Sequence, residues 1–275
     1  MTSQSARDYW EAEYNPRASV ADAQKYFDSW VERAGQARDR LQGLLDLPYG
    51  SQTRERLDLF RADSPRGTLV FLHGGYWRAF GREFYSWVAE AFVAAGISVA
   101  VPSYPLAPQA TLAQILGSVS LVVPYLRAEV LTQPEQRRIV VAGHSAGAHL
   151  AACLLSIARG APERQTFDTA VCISGVFDLC PLRHTHMLSN MNWTAGELHA
   201  ISPLFMDPNP DATVLLAVGG AESGEFQGQT ARLARAWSPW VTGSLSLPER
   251  NHFSVIDDLT RPDYELTRAI VKLFD

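Results

Sequence analysis

The chain has 275 residues, and α/β folds of that length commonly form one unit around one sizeable core. Hydrophobic residues make up 47% and charged residues 19%, the balance of an ordinary folded chain, which excludes disordered, collagen-like and coiled-coil readings. Lys and Arg total 24 against 29 Asp and Glu, a net charge of −5, and no basic run could track a phosphate backbone, so nucleic acid is not an expected partner.

The N-terminus, Met1-Thr2-Ser3-Gln4-Ser5-Ala6-Arg7-Asp8, is polar with no apolar run behind it, which argues against a secretory signal. No apolar stretch approaches the roughly 20 residues of a membrane span, so no membrane partner is expected. Cys153, Cys172 and Cys180 are an odd and sparse set that reads as small buried hydrophobes of a reducing compartment, and the expected location is the cytoplasm. Further on, Tyr26, Trp30, Arg33, Ala34, Ala37 and Leu41 recur at three- and four-residue spacing, as one face of an amphipathic helix. Residues 1–60 are therefore expected to be a helical N-terminal extension packed on a main body of residues 61–275.

From Gly67 the pattern changes to short runs rich in Val and Ile, each followed by a helix-period segment, the signature of βα units and a mostly parallel sheet with helices on both faces. The expected strands are 68–72, 97–101, 138–142, 170–174, 213–218 and 244–247. Between residues 177 and 206 the alternation lapses around Pro181, His184, His186, Met187, Met191, Trp193 and Pro203. A long irregular insert in a compact domain is expected to be a lid or binding loop.

Chemistry concentrates at Gly143-His144-Ser145-Ala146-Gly147, between an apolar strand and a helical stretch. A G-x-S-x-G in that context makes a strained turn that projects the serine hydroxyl clear of the backbone. A serine hydroxyl is a weak nucleophile and needs a base oriented by a third group. In a strand-turn-helix architecture of this kind the order along the chain is nucleophile, acid, histidine. Of the histidines beyond the serine (His149, His184, His186, His199, His252), only His252 follows the last expected strand. His184 and His186 form an H-x-H, but no partner acids surround it and no metal or other cofactor is expected. Glu222 is the first carboxylate after the strand at 213–218; Asp211 precedes that strand, and Glu225 suits the first turn of the next helix. Glu222 is taken as the acid.

The segment His73-Gly74-Gly75-Tyr76-Trp77 follows the strand at 68–72, where H-G-G loops present backbone N–H groups toward a nucleophile. The amides of Gly74, Gly75, Tyr76 and Ala146 are the expected oxyanion donors. Tyr76, Trp77, His144, Phe177 and Trp193 are the expected substrate-pocket residues, with aromatic walls suited to an aryl leaving group. For an amino-acid carboxylate the sequence singles out no arginine, and Arg78 and Arg183 are the ones considered.

The elbow, the H-G-G loop and the order of serine, acid and histidine resemble the α/β-hydrolase superfamily from about Leu57 onward. His73-Gly74-Gly75-Tyr76-Trp77 fits the H-G-G-x-W pattern of the kynurenine formamidase (arylformamidase) family. Glu222-Ser223-Gly224-Glu225-Phe226 and Asn251-His252-Phe253 resemble that family's acid and histidine segments, although its members often carry Asp where this chain has Glu222. Glu13-Tyr14-Asn15-Pro16, Asp46-Leu47-Pro48-Tyr49-Gly50 and Leu57-Asp58-Leu59-Phe60 extend the likeness toward the N-terminus. The resemblance implies metal-independent hydrolysis of N-formylkynurenine to kynurenine and formate, with Ser145, Glu222 and His252 as the triad. A short-chain carboxylesterase with the same triad is the alternative, and a non-catalytic hydrolase-fold binder the distant one. The expected partner is a small-molecule acyl amide or ester, and a homodimer is compatible with the sequence.

Overall fold

The computed structural model describes residues 3–157, 167–186, 188–191 and 193–275. Eight strands form one sheet: β1 (Leu44–Pro48), β2 (Arg56–Phe60), β3 (Thr68–Leu72), β4 (Ser98–Pro102), β5 (Ile139–His144), β6 (Thr169–Ile173), β7 (Thr213–Gly219) and β8 (Val241–Leu247). Their order across the sheet is β1-β2-β4-β3-β5-β6-β7-β8. The β1/β2 and β2/β4 pairs are antiparallel, and every pair from β4 to β8 is parallel. Every residue of β3, β4, β5 and β6 is buried, which is why these strands read as continuous apolar runs. The two faces of the sheet carry separate hydrophobic clusters, one holding the helix Ala146–Ile157 and the other the helices Ala23–Leu41 and Glu265–Val271.

The expected strands all occur, with ends shifted by a few residues. The expected boundary at residue 60 falls inside the sheet, because the helical stretch ends at Leu41 and β1 and β2 belong to the sheet. Physical reasons hid both strands. β1 is an edge strand with mostly exposed residues, and β2 carries a carboxylate at Asp58 in the middle of its run. That carboxylate is buried and balanced by Arg38 at 2.7 Å and Arg82 at 3.0 Å, partners remote in sequence. Helix Ala23–Leu41 buries Ala23, Phe27, Trp30, Ala34 and Ala37, and Arg38 ties it to β2.

Within 177–206 the described residues form short turns of helix at Cys180–His184, Ser189–Met191, Ala195–Ala200 and Pro203–Phe205. Phe177, Leu179, Leu182 and Leu198 are fully buried there, so much of this insert is core rather than exposed loop. Met187 and Asn192 lie outside the described residues. Among the described residues, no helix is long and apolar enough to cross a membrane.

Candidate active site

Strand β5 ends at His144, and the helix Ala146–Ile157 begins one residue beyond Ser145. Ser145 has φ +56°, a left-handed conformation that side chains rarely adopt and that turns the chain from strand into helix. The turn closes only because its flanks are glycines. A Cβ on Gly143 would meet the Gly147 carbonyl at 2.2 Å, and one on Gly147 would meet the Leu72 carbonyl oxygen at 2.0 Å. The sequence spacing of the two glycines thus records two backbone contacts.

Beyond the carboxyl ends of β7 and β8 lie Glu222 and His252. Nδ1–H of His252 donates to Glu222 Oε2 at 2.6 Å, and Nε2 faces Ser145 Oγ at 3.1 Å. That network assigns the Nδ1–H tautomer, which leaves Nε2 free to accept the serine proton. The other carboxylate oxygen, Oε1, accepts from the backbone N–H of Gly219 at 2.7 Å and from the Ser174 hydroxyl. Two donors on Oε1 fix the plane of the carboxylate that orients the imidazole. All three residues are buried in the fold. Glu225, the carboxylate passed over, instead accepts from the Tyr14 hydroxyl at 3.0 Å and pairs with Arg232 at 2.8 Å.

His144 adds a contact that the motif alone does not predict: its Nε2 hydrogen-bonds the backbone carbonyl of His252 at 2.8 Å. Burial, reinforced by the neighbouring His252, holds the His144 pKa well below the ordinary value, so the ring is neutral and acts as a donor to that carbonyl. His144, the residue before Ser145, therefore anchors the backbone of His252.

The H-G-G loop runs close against the elbow. A Cβ on Gly74 would stand 3.0 Å from the His144 carbonyl oxygen and 3.1 Å from Ser145 Cβ, so only glycine admits this approach without displacing its neighbours. Gly75, Tyr76 and Trp77 follow with φ of +104°, +50° and +56°, a tight left-handed run that re-aims the peptide groups. Gly74 thus brings the loop backbone up against Ser145, and Ala146 follows the serine at the first position of the helix. His73 braces the loop, stacked on Tyr104 with ring centroids 4.1 Å apart and Nδ1 2.8 Å from the Gly74 carbonyl. Burial pushes its pKa down to about 3. The Tyr76 hydroxyl donates to the Tyr14 carbonyl at 2.6 Å, tying the loop to the N-terminal segment.

A pocket of about 430 Å³ opens onto Ser145 and His252. Most of its walls come from two places, Asn15, Pro16, Arg17, Phe27 and Trp30 of the N-terminal segment and Gly75, Tyr76, Arg78, Ala79 and Phe80 of the H-G-G loop, with Tyr85 and Phe253 beside them. Of the expected pocket residues, Tyr76 and His144 line it. Trp77, Phe177 and Trp193 do not. Trp77 is fully buried, with its ring against His149 at 5.0 Å, and Trp193 packs edge-on against Trp77 at 5.9 Å. Phe177 is fully buried as well. Arg78 lines the pocket; Arg183 is elsewhere, beside His184. Sequence reasoning missed the wall contributed by residues 15–17 with Phe27 and Trp30, although Asn15-Pro16 lies in a segment carrying the family resemblance. It also missed Ser174, whose place at the carboxyl end of β6 is where α/β sheets present functional groups. Among the described residues, no group of three or more His, Cys, Asp or Glu could hold a metal ion.

A model of the alpha/beta hydrolase fold family matches residues 69–223, the stretch from β3 through the candidate acid. The chain belongs to that family. This hydrolase is 28% identical to a kynurenine formamidase of Salmo salar over 97% of its own length and 94% of the relative's. It is 29% identical to a kynurenine formamidase of Danio rerio over 96% of its length and 94% of the relative's. A solved structure from Silicibacter sp. tm1040, given a provisional thioesterase name, shares 34% identity and superposes with a TM-score of 0.84, covering 94% of this chain and 97% of that one. Esterase B from Lactobacillus rhamnosis shares the fold at 17% identity, with a TM-score of 0.66 over 92% of this chain and 93% of its own.

Proposed function

We propose that this hydrolase cleaves small aryl formamides, N-formylkynurenine first among them, to formate and the free aryl amine. The observation that carries this reading is the likeness to curated kynurenine formamidases over almost the whole chain, including the N-terminal segment that walls the pocket. In the proposed sequence, Ser145 Oγ attacks the formyl carbon while His252 Nε2 takes the hydroxyl proton. Charge developing on the carbonyl oxygen is received by the amides of Ala146 and the Gly74–Tyr76 turn. The imidazolium then gives its proton to the departing aniline nitrogen, the C–N bond breaks, and a formyl ester remains on Ser145. Water, deprotonated by the same imidazole, attacks that ester and releases formate and the serine. Glu222 keeps Nδ1 protonated and stabilises the imidazolium throughout.

The aromatic lining by Phe27, Trp30, Phe80 and Tyr85 supports an aryl leaving group. A carboxylesterase of short acyl groups is the second reading, favoured by the relative with the provisional thioesterase name. We place the activity in the cytoplasm, a reading supported by three cysteines that are all free. The test compares kcat/KM for N-formyl-L-kynurenine and p-nitrophenyl acetate with formate measured directly. A preference for the formamide supports the reading; turnover of the ester alone overturns it in favour of the esterase.

A further inference from the structure

The pocket on Ser145 has an uneven inventory of charge. Its lining includes two guanidinium groups, Arg17 and Arg78, and no Asp or Glu among the described residues, in a chain whose net charge is −5. Elsewhere around the site, arginines are neutralised: Arg33 by Asp257 at 2.9 Å, Arg82 by Asp58 at 3.0 Å and Arg250 by Asp258 at 2.7 Å. Arg17 has no such partner. It donates to the neutral amide oxygen of Gln24 at 3.0 Å, and no carboxylate among the described residues pairs with it. Its guanidinium carbon stands 5.1 Å from the centre of the Phe27 ring, and Phe27 is a wall of the same pocket. Phe27 is itself fixed between Phe80 and Phe253, each 5.1 Å away. Trp30, a wall of the same pocket, buries its indole N–H without a partner among the described residues. A cavity rich in donors and aromatic faces and without acidic side chains suits an aromatic anion.

Arg17 is exposed, and the turn that carries it is held locally. Asn15 opens the short helix Pro16–Ser19 by accepting from the Ala18 N–H at 3.2 Å, while its amide donates to Glu11 at 3.1 Å. Pro16 is buried, so the turn that carries Arg17 is held at both its cap and its first residue. Arg78 sits one residue from Trp77 on the oxyanion loop itself, whereas Arg17 comes from an element that carries none of the reacting groups.

We infer that Arg17 is the specificity-determining residue of this hydrolase: it receives an anionic group, a carboxylate on the aryl leaving group, whose ring lies along the Phe27–Trp30–Phe80 wall. This rests on the aryl-formamide reading for its substrate class but not for its test. The experiment uses the full chain and two matched pairs, formanilide with 3-formamidobenzoate and phenyl acetate with 3-acetoxybenzoate, with R17Q and R17K beside the wild type. The expected result is a wild-type preference for the anion in the ratio of kcat/KM values. That ratio falls about tenfold in R17Q through KM, is partly restored in R17K, and shrinks in the wild type near 0.5 M salt, where charges a few ångströms apart are screened. A ratio that survives R17Q, or one that falls through kcat alone, overturns the inference. Should neither formamide be turned over, the formamidase reading fails by itself and the ester pair still decides the role of Arg17.

Discussion

Replacing Glu222 with Gln probes the proposed triad without changing its volume. The carboxylate accepts at both oxygens: from His252 Nδ1–H at 2.6 Å on Oε2, and from Gly219 N–H at 2.7 Å and the Ser174 hydroxyl on Oε1. A glutamine has one oxygen to offer. If that oxygen stays with the Gly219 N–H, the amide NH₂ faces Nδ1 and donates to it, which moves the imidazole proton to Nε2. Nε2 then cannot accept from Ser145 Oγ, 3.1 Å away. The opposite orientation sets NH₂ against the Gly219 N–H and leaves a buried donor unpaired at about 1–3 kcal/mol, so the first orientation is favoured. A base held in the wrong tautomer lowers kcat by about 10³–10⁴, or ~4–5.5 kcal/mol of barrier, with KM little changed. The assay is steady-state kinetics on an acetate ester and an aryl formamide, with a thermal melt to confirm folding. A folded E222Q retaining more than a tenth of kcat refutes the assignment of Glu222 as the orienting acid.

Ser174→Ala removes one of the two donors on Glu222 Oε1 and keeps the other, so kcat is expected to fall about tenfold at constant KM; a change within twofold removes Ser174 from the account. Gly147→Ala places a Cβ 2.0 Å from the Leu72 carbonyl oxygen, a backbone atom that cannot rotate away, and should cost about 3 kcal/mol in urea unfolding. Gly117→Ala, in the helix Leu112–Ser120 with nothing within 4 Å, should instead be neutral or stabilising by up to about 1 kcal/mol, and equal midpoints for the two variants contradict this packing. Burial lowers the pKa of His73 to about 3 and of His149 to about 4 from 6.5, so below pH 6.5 the unfolded chain binds more protons than the native one. Stability therefore falls as pH drops through that window, by about 2 kcal/mol per histidine at pH 5, and Tm should drop by on the order of 8 °C between pH 7 and pH 5. A Tm unchanged over that range would falsify the burial argument.

The parts of the fold that the sequence displays are those whose physics is local. β3 and β5 read as strands because both faces are covered and every residue except His144 is apolar or small, and the elbow reads because two glycines four apart serve two backbone contacts. β2 stayed hidden because its buried Asp58 is tolerated only through Arg38 and Arg82, which the chain brings from 20 and 24 residues away. The pocket wall was illegible for a related reason. Trp30 and Trp77 look alike in the sequence, and both are buried, yet Trp30 reaches the pocket while the left-handed backbone at Trp77 sends its ring to His149. Aromatic composition cannot separate wall from core without the backbone. Glu222 was distinguishable from Glu225 because it precedes the helix Gly224–Ala236 and Glu225 lies in its first turn.

The central claim is that one nucleophile, Ser145, does the chemistry. The most direct measurement is the intact mass of the protein after reaction with a small alkyl phosphonate ester, followed by peptide mapping and residual activity on the same samples. The account predicts a single adduct on the peptide containing Ser145, activity lost in proportion to labelling, and neither adduct nor activity in Ser145→Ala. An adduct on another residue that tracks the lost activity, or full hydrolysis by Ser145→Ala, contradicts it.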